Sequence, residues 1–479
     1  MIGESHTPRT LRRTAPYEKE EKLFSPAVYV KQFEFTLGSE SIGQYSVGDL
    51  VHLVFSAKDK RNNTISNTGD FFRGSIISAE SKSGAVGIVT DHQNGTYTAT
   101  FRLLWEGEVT IRIQLVLPRQ TIDVIEKNRR EDPFEIKEEM VTFQKRFAVG
   151  KRNVDTQCNV DPVIFKDSPV CDYSDLHAGV RWYCVKPDNI SCNTSGYLSR
   201  LRYKKTKSFG RWLSSVPYSV FQTGRDPLAN RSRCVRGLGT PQISGFFQDG
   251  VWNSLVCKNR HFSDKTAWQQ CLSGKTLHFI GDSTIRQWWE HLVRILEMNE
   301  TRFPGVIHNT GPLLARDYLN NITVKFQIHG PPLRFGWTQE FHIKYLANAV
   351  DEVSGGPGDV VGITIWAHFT SFPVNVYRER IKAVRAAIER LLQRSPETLV
   401  VIKSANTNTG NMLYEGDWLA HRLDMVMRET FRGLNVVLVD AWEMTSAQNW
   451  HTDNLHPAED IIVQELEFLC SFICPWPPS

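Results

Sequence analysis

Ser283, Asp453 and His456 have the side-chain types that a nucleophile, an orienting carboxylate and a general base require. Gly281-Asp-Ser283 ends an apolar run, Thr276-Leu-His-Phe-Ile280, and is followed by an amphipathic stretch. A strand that passes through a tight glycine turn straight into a helix lifts a serine hydroxyl above the sheet, where a base from another loop can reach it. Asp453-Asn-Leu-His456 lies just ahead of the last apolar segment and supplies that base and its carboxylate. If the three meet, the chemistry is that of a serine esterase or acyltransferase, with amides at the helix start as oxyanion donors.

The tetrapeptide alone decides nothing, because Asp49-Leu-Val-His52 has the same form inside a predicted strand, where residues three apart face opposite sides. A lone Gly-Asp-Ser also serves as a turn or helix cap. What favours Asp453 and His456 is a loop position after the last strand. Arg286, one helical turn beyond Ser283, could hold an acyl carbonyl or an acidic sugar, or could pair with Glu290 four residues on. His368, in Trp366-Ala-His-Phe369, and Asn406 and Asn408, in Ser404-Ala-Asn-Thr-Asn-Thr-Gly410, follow strands and could line the same crevice; loop hydrogen bonding explains them equally well. Ser273-Gly-Lys-Thr276 resembles the tail of a phosphate-binding loop, but Gln269 stands where the first glycine belongs, and no nucleotide motif survives.

The elements needed to position such residues follow from hydrophobic spacing. From Lys275 onward strands and helices alternate. Strands are predicted at Leu277–Ile280, Ile322–Ile328, Val360–Trp366, Thr398–Ile402 and Asn435–Val439, with helices over Thr284–Glu297, Val376–Arg394 and Trp418–Phe431. This pattern predicts a doubly wound α/β domain over 271–479, whose sites collect at the carboxyl ends of the strands. Residues 26–150 read as an all-β sandwich of immunoglobulin type, with short alternating runs and turns such as Asn94-Gly95. Residues 1–25 are polar and charged and read as a flexible lead-in. Between the two domains, 151–270 is a cysteine-rich, loop-rich region containing a basic stretch, Arg200-Leu-Arg-Tyr-Lys-Lys-Thr-Lys207, that is either a glycan-binding feature or a solvated face.

With 479 residues, 41% of them hydrophobic, the chain can build more than one core. A net charge of +4 from 56 basic and 52 acidic residues gives no field suited to nucleic acid. The nine cysteines all lie at or beyond Cys158 and include no C-x-x-C pair, which predicts disulfides and no metal site. Candidate glycosylation acceptors stand at Asn62, Asn94, Asn189, Asn193, Asn230, Asn299 and Asn321. Cysteines and acceptors together predict the secretory pathway, either the Golgi lumen or secretion. No apolar run is long enough to span a membrane, and the first ten residues have no apolar signal core, so the chain reads as a shortened product.

Gly281-Asp-Ser-x-x-Arg286 with a late Asp453-x-x-His456 resembles the PC-esterase branch of the SGNH/GDSL esterases, which includes plant wall polysaccharide O-acetyltransferases and the animal sialic acid O-acetyltransferase. Upstream, Tyr45-Ser-Val-Gly-Asp49, Asn94-Gly-Thr-Tyr97, Leu104-Trp-Glu-Gly107 and Trp182-Tyr-Cys184 resemble neurexophilins. The whole order is similar to the neurexophilin and PC-esterase domain family. That resemblance implies an SGNH-like C-terminal domain using Ser283, Asp453 and His456, with Arg286, His368 and Asn406 as candidate oxyanion or substrate contacts. It further implies a carbohydrate O-acetyltransferase or esterase acting on sialic acid or related glycans. No bound cofactor is expected; acetyl-CoA is the expected donor and a glycan or glycoprotein the acceptor. The neurexophilin-like part implies a cell-surface receptor as partner, and the alternative reading is a secreted receptor-binding glycoprotein with an inert esterase fold. The Gly-x-Asn-Asp block of typical SGNH hydrolases is not visible in the sequence, and Trp366-Ala-His-Phe369 stands near where it should be.

Overall fold

The computed structural model describes residues 11–13, 32–37, 45–58, 61, 63–66, 69–131, 142–202, 211–222, 226–333, 336–408 and 415–474. The greater part of the 1–25 lead-in, Asn62 and residues 203–207 of the basic stretch lie outside them.

Strands β1 (Leu50–Lys58), β2 (Phe71–Ser78), β3 (Ser83–Asp91), β4 (Thr96–Arg102) and β5 (Gly107–Leu117) form the centre of an antiparallel sheet, in the order β1-β4-β3-β2-β5. Strand β3 pairs through residues 88–91 with β4 and through residues 83–87 with β2, so one strand joins two halves that enclose a common core. The rings of Phe55, Phe72 and Tyr97 meet there, with centroids 4.8–5.2 Å apart. Every second residue of β1 is buried, the period of a strand with one face in a core. An element absent from the all-β expectation is α1 (Arg119–Glu131). Seven of its thirteen residues are charged, and among its described side chains only Ile122 and Ile125, one turn apart, are buried, too sparse an apolar stripe to read against the strands around it.

Disulfides link Cys158 to Cys184, Cys171 to Cys192, Cys234 to Cys257 and Cys271 to Cys474, leaving Cys470 as a buried free thiol. The hairpin β6 (Gly245–Gln248) and β7 (Val251–Ser254) sits between the two large sheets. Phe247 of β6 pairs with Gly84 of β3, while the Trp252 amide donates to Gln464 Oε1 at 2.8 Å. The hairpin thus joins the N-terminal sheet to Gln464 of the C-terminal region.

The C-terminal sheet contains β8 (Thr276–Gly281), β9 (Asn299–Thr301), β10 (Leu313–Asp317), β11 (Ile322–Ile328), β12 (Asp359–Thr364), β13 (Leu399–Lys403) and β14 (Val437–Val439). Its order is β9-β10-β11-β8-β12-β13-β14, parallel from β11 to β14 with an antiparallel edge. The helices that position the site are α2 (Lys265–Leu272), α3 (Ser283–Ile295), α4 (Leu346–Asp351), α5 (Val374–Arg394), α6 (Asp417–Phe431), α7 (Ala441–Ser446) and α8 (Glu459–Cys470).

Helices cover both faces of this sheet. Leu277, Phe279 and Val401 pack with Ile285, Trp288 and Leu292 of α3 and Leu466 of α8. Their strand neighbours Ile280, Val400 and Ile402 point the other way, to Ile381, Val384 and Ile388 of α5 and Leu423 of α6. Each such aliphatic side chain stabilises the fold by about 1.5–3 kcal/mol when fully buried. Beneath α3, Lys403 Nζ meets Glu465 Oε1 at 2.7 Å, and Trp288 Nε1 donates to Glu465 Oε2 at 2.6 Å, so each buried charge has a partner. The molecule is thus a mixed α/β protein with four disulfides among its described residues.

Candidate active site

β8 lies centrally between β11 and β12, and its carboxyl end delivers Gly281, Asp282 and Ser283 to the crest of the sheet. Glycine is required at 281 because a Cβ there would run into the Thr364 carbonyl of the adjoining strand. Asp282 caps α3 and is fully buried, accepting from the Thr284 amide at 2.9 Å and from Thr284 Oγ1 at 2.7 Å. Its second oxygen accepts from the amides of Trp366 and Ala367 at 3.2 and 3.1 Å. Asp282 therefore staples the start of α3 to the loop after β12 and fixes the backbone on both sides of the serine.

Ser283 Oγ and His456 Nε2 are 2.7 Å apart, although their positions differ by 173 in sequence. The histidine lies on the exposed rim, while its inner side is shielded by protein. That shielding lowers the imidazole pKa first, and the Arg286 cation lowers it further against the opposing charges of Asp282 and Glu290. The group is therefore neutral, and able to accept a proton, to a lower pH than a free histidine.

The loop carrying His456 is held from several directions. Asn406 Nδ2 donates to the carbonyls of Asn454 and Leu455 at 3.1 and 3.3 Å, and Gln287 Nε2 of α3 donates to the Pro457 carbonyl at 3.0 Å. Thr407 Oγ1 donates to Asp453 Oδ1 at 2.8 Å. The other oxygen of Asp453 accepts from Arg73 Nη2, a residue of β2 in the N-terminal sheet, and the carboxylate also acts on the charge of Arg112 in β5. The charges of Asp282 and Glu290 also act on His456.

Of the remaining candidates, Arg286 is engaged: its Nε donates to Glu290 Oε1 at 2.8 Å and its Nη1 to the Asn309 carbonyl at 2.9 Å. His368 is buried after β12, its ring centroid 4.9 Å from that of His329, the residue after β11. Asn406 anchors the histidine loop through its amide nitrogen and so stands behind His456. Asn408 binds the Glu415 carbonyl and, through its own amide, Asp417 at the start of α6. The Trp366 and Ala367 amides, near where the Gly-x-Asn-Asp block of typical SGNH hydrolases would stand, are spent on Asp282. Asn94, Asn189, Asn193, Asn230, Asn299 and Asn321 are all exposed.

The sequence reading missed His329, Asp282 as a staple, Gln287, Thr407 and Arg73. His329 follows a parallel strand as His368 does, so the same rule would have found it. Its amide donates to the Gly281 carbonyl at 3.1 Å, and burial, aided by Arg380, holds its imidazole below the ordinary pKa against the pull of Asp282. Arg73 was detectable as a cation in an otherwise small and apolar strand, Phe71-Phe-Arg-Gly-Ser-Ile-Ile-Ser78. No group of three or more histidine, cysteine, aspartate or glutamate side chains among the described residues is arranged to hold a metal ion.

Two family descriptions match the chain: "NXPE family member 4-like, C-terminal domain" over residues 252–474, and "Neurexophilin" over residues 36–207. The first match spans the C-terminal sheet and the second ends with the basic stretch, and the two together support a likeness to the neurexophilin and NXPE families. The neurexophilin match and the four disulfides are consistent with secretion. No helix among the described residues is long and apolar enough to cross a membrane.

Proposed function

We propose that the chain is a serine-dependent O-acyltransferase or acetylesterase acting on carbohydrate hydroxyls, with Ser283 as nucleophile and His456 as general base. The observation that carries this reading is the 2.7 Å approach of His456 Nε2 to Ser283 Oγ at the carboxyl crest of a parallel sheet. His456 takes the hydroxyl proton as Oγ attacks the acyl carbon. It returns that proton to the departing group, and the acyl-serine then passes its acyl group to water or to a sugar hydroxyl. The Ser283 amide, at the start of α3, is the oxyanion donor in this reading. The negative charges of Asp282 and Glu290 favour the imidazolium that forms. Asp453 supports the base by holding its loop through Thr407 and Arg73.

By the resemblance to carbohydrate O-acetyltransferases, acetyl-CoA is the donor and sialic acid or a related glycan the acceptor, in the Golgi lumen or outside the cell. Incubation with acetyl-CoA and sialylated glycans, read by product mass, tests this directly. Acetylated glycan from the wild type and none from Ser283→Ala is the expected result. Equal products from both, or no acyl gain or loss with either, would overturn it.

A second reading has its own observation. The neurexophilin match over residues 36–207 favours recognition of a cell-surface receptor through the N-terminal part. The two activities can coexist, because Ser283 and His456 lie outside that span.

A further inference from the structure

Arg73 belongs to the N-terminal sheet, yet its guanidinium ends among carboxylates of the C-terminal region. Nη2 donates to Asp453, and Nη1 lies 3.4 Å from Asp417 Oδ2 at the first turn of α6. Gln114, its cross-strand partner on β5, holds the fork from behind, its Oε1 accepting from Nη2 at 2.7 Å and Nε at 3.2 Å. The Arg73 side chain is only 10% exposed, and that of Asp417 only 3%. Burying one cation between two carboxylates fixes direction as well as distance, because the planar fork accepts its partners only in its own plane.

What this cluster fixes is one end of a four-residue loop. Asp453 begins the loop and His456 ends it; Thr407 and Asn406, both from the loop after β13, clasp its beginning and its middle. We propose that Arg73 is a positioning residue for His456, so that the N-terminal sheet forms part of the candidate active site and the C-terminal region is not catalytically self-sufficient. The inference rests on the acyl-transfer reading for its rate consequence, but its structural half, order in the loop, stands apart from it. A displacement of about 1 Å in a reacting group can cost on the order of 100-fold in rate.

The test uses the full chain, a fluorophosphonate probe and four variants. In labelling, the Ser283 Oγ–phosphorus bond forms, fluoride leaves, and the hydroxyl proton passes to His456. Arg73→Met should lower the maximal labelling rate of the folded protein by about 100-fold with little change in probe affinity, and Arg73→Lys should recover part of it. Gln114→Leu, which frees the guanidinium from behind, should lie between. Arg422→Met is the control, removing a pair with Glu126 that also joins the two regions but touches no part of the loop; it should label like the wild type. Hydrogen exchange over residues 451–457 should quicken in Arg73→Met and stay unchanged in Arg422→Met.

If Arg73→Met labels at the wild-type rate, or the two methionine variants fall alike, the arginine only stabilises the fold and the proposal is overturned. If the wild type itself is not labelled at Ser283, the acyl-transfer reading fails and exchange decides about the loop: unchanged protection in Arg73→Met overturns the positioning role as well. Should Arg73→Met not fold, Gln114→Leu and Arg73→Lys carry both measurements.

Discussion

The chain contains the sequence Asp-x-x-His in two settings, and the structure puts them to different uses. In the N-terminal sheet region, Asp49 closes a turn by accepting from the Ser46 amide at 2.8 Å, while His52, within β1, meets Thr100 Oγ1 at 3.0 Å. In the C-terminal region the tetrapeptide runs along a loop with no regular structure, and His456 reaches a serine on another element. The residue types are the same; what differs is the backbone. An extended strand gives each side chain to a neighbour across the sheet, whereas a loop clasped at both ends can aim one side chain outward at a reacting group. A motif acquires chemistry from what anchors it.

That contrast can be broken, beginning with the largest effect. Ser283→Ala and His456→Ala should each reduce acyl transfer by about a million-fold, to background, because nucleophile and base act as a unit. His52→Ala, measured in the same assay, should leave the rate within about twofold, since distant sites without shared partners act independently. A strong effect of His52→Ala would erase the distinction between the two copies.

The pH dependence sharpens the comparison further. The folded-state pKa of His456 is lowered below the ordinary value of about 6.5. A base with a lowered pKa stays unprotonated as pH falls past 6.5, so the rate should hold there and drop about tenfold per pH unit only below the shifted value. A midpoint at or above 6.5 in the pH profile of Ser283 labelling would contradict the shielding around the ring.

A smaller effect is expected at Asn406. Its replacement by alanine removes two hydrogen bonds to the loop and leaves carbonyls without that donor, a cost of about 1–3 kcal/mol in chemical denaturation. Transfer should slow by about tenfold as the loop loosens, well short of the loss of the base itself. Smallest of all is the stability change in His52→Ala, about 0.5–1.5 kcal/mol for a single hydrogen bond.

Much of the C-terminal sheet was legible because its central strands β12 and β13 are almost wholly buried and its helices amphipathic. Both periods are strong, and the observed bounds of α5 and α6 differ from the expected ones by only one or two residues at their starts. Ser283 and His456 were legible for the same reason, since each stands where a parallel sheet leaves room at its crest. Strand β2 was missed, because Gly74 and two serines interrupt its alternation, and α1 was missed because charge obscures its two isoleucines. The partners of Asp453 could not be read at all. Arg73 and Asp453 are separated by 380 positions, and no local rule of spacing pairs residues that tertiary packing alone brings together. The disulfide partners were equally hidden, since cysteine spacing admits many connectivities.

The bond between Cys271 and Cys474 joins positions 203 apart in sequence, and encloses Ser283, Asp453, His456 and the five parallel strands. This part of the chain is therefore a covalent ring, entered and left through neighbouring atoms. A protease that cuts any one loop inside the ring opens it without releasing a fragment, and Ser283 and His456 remain members of a single molecule until the disulfide is reduced.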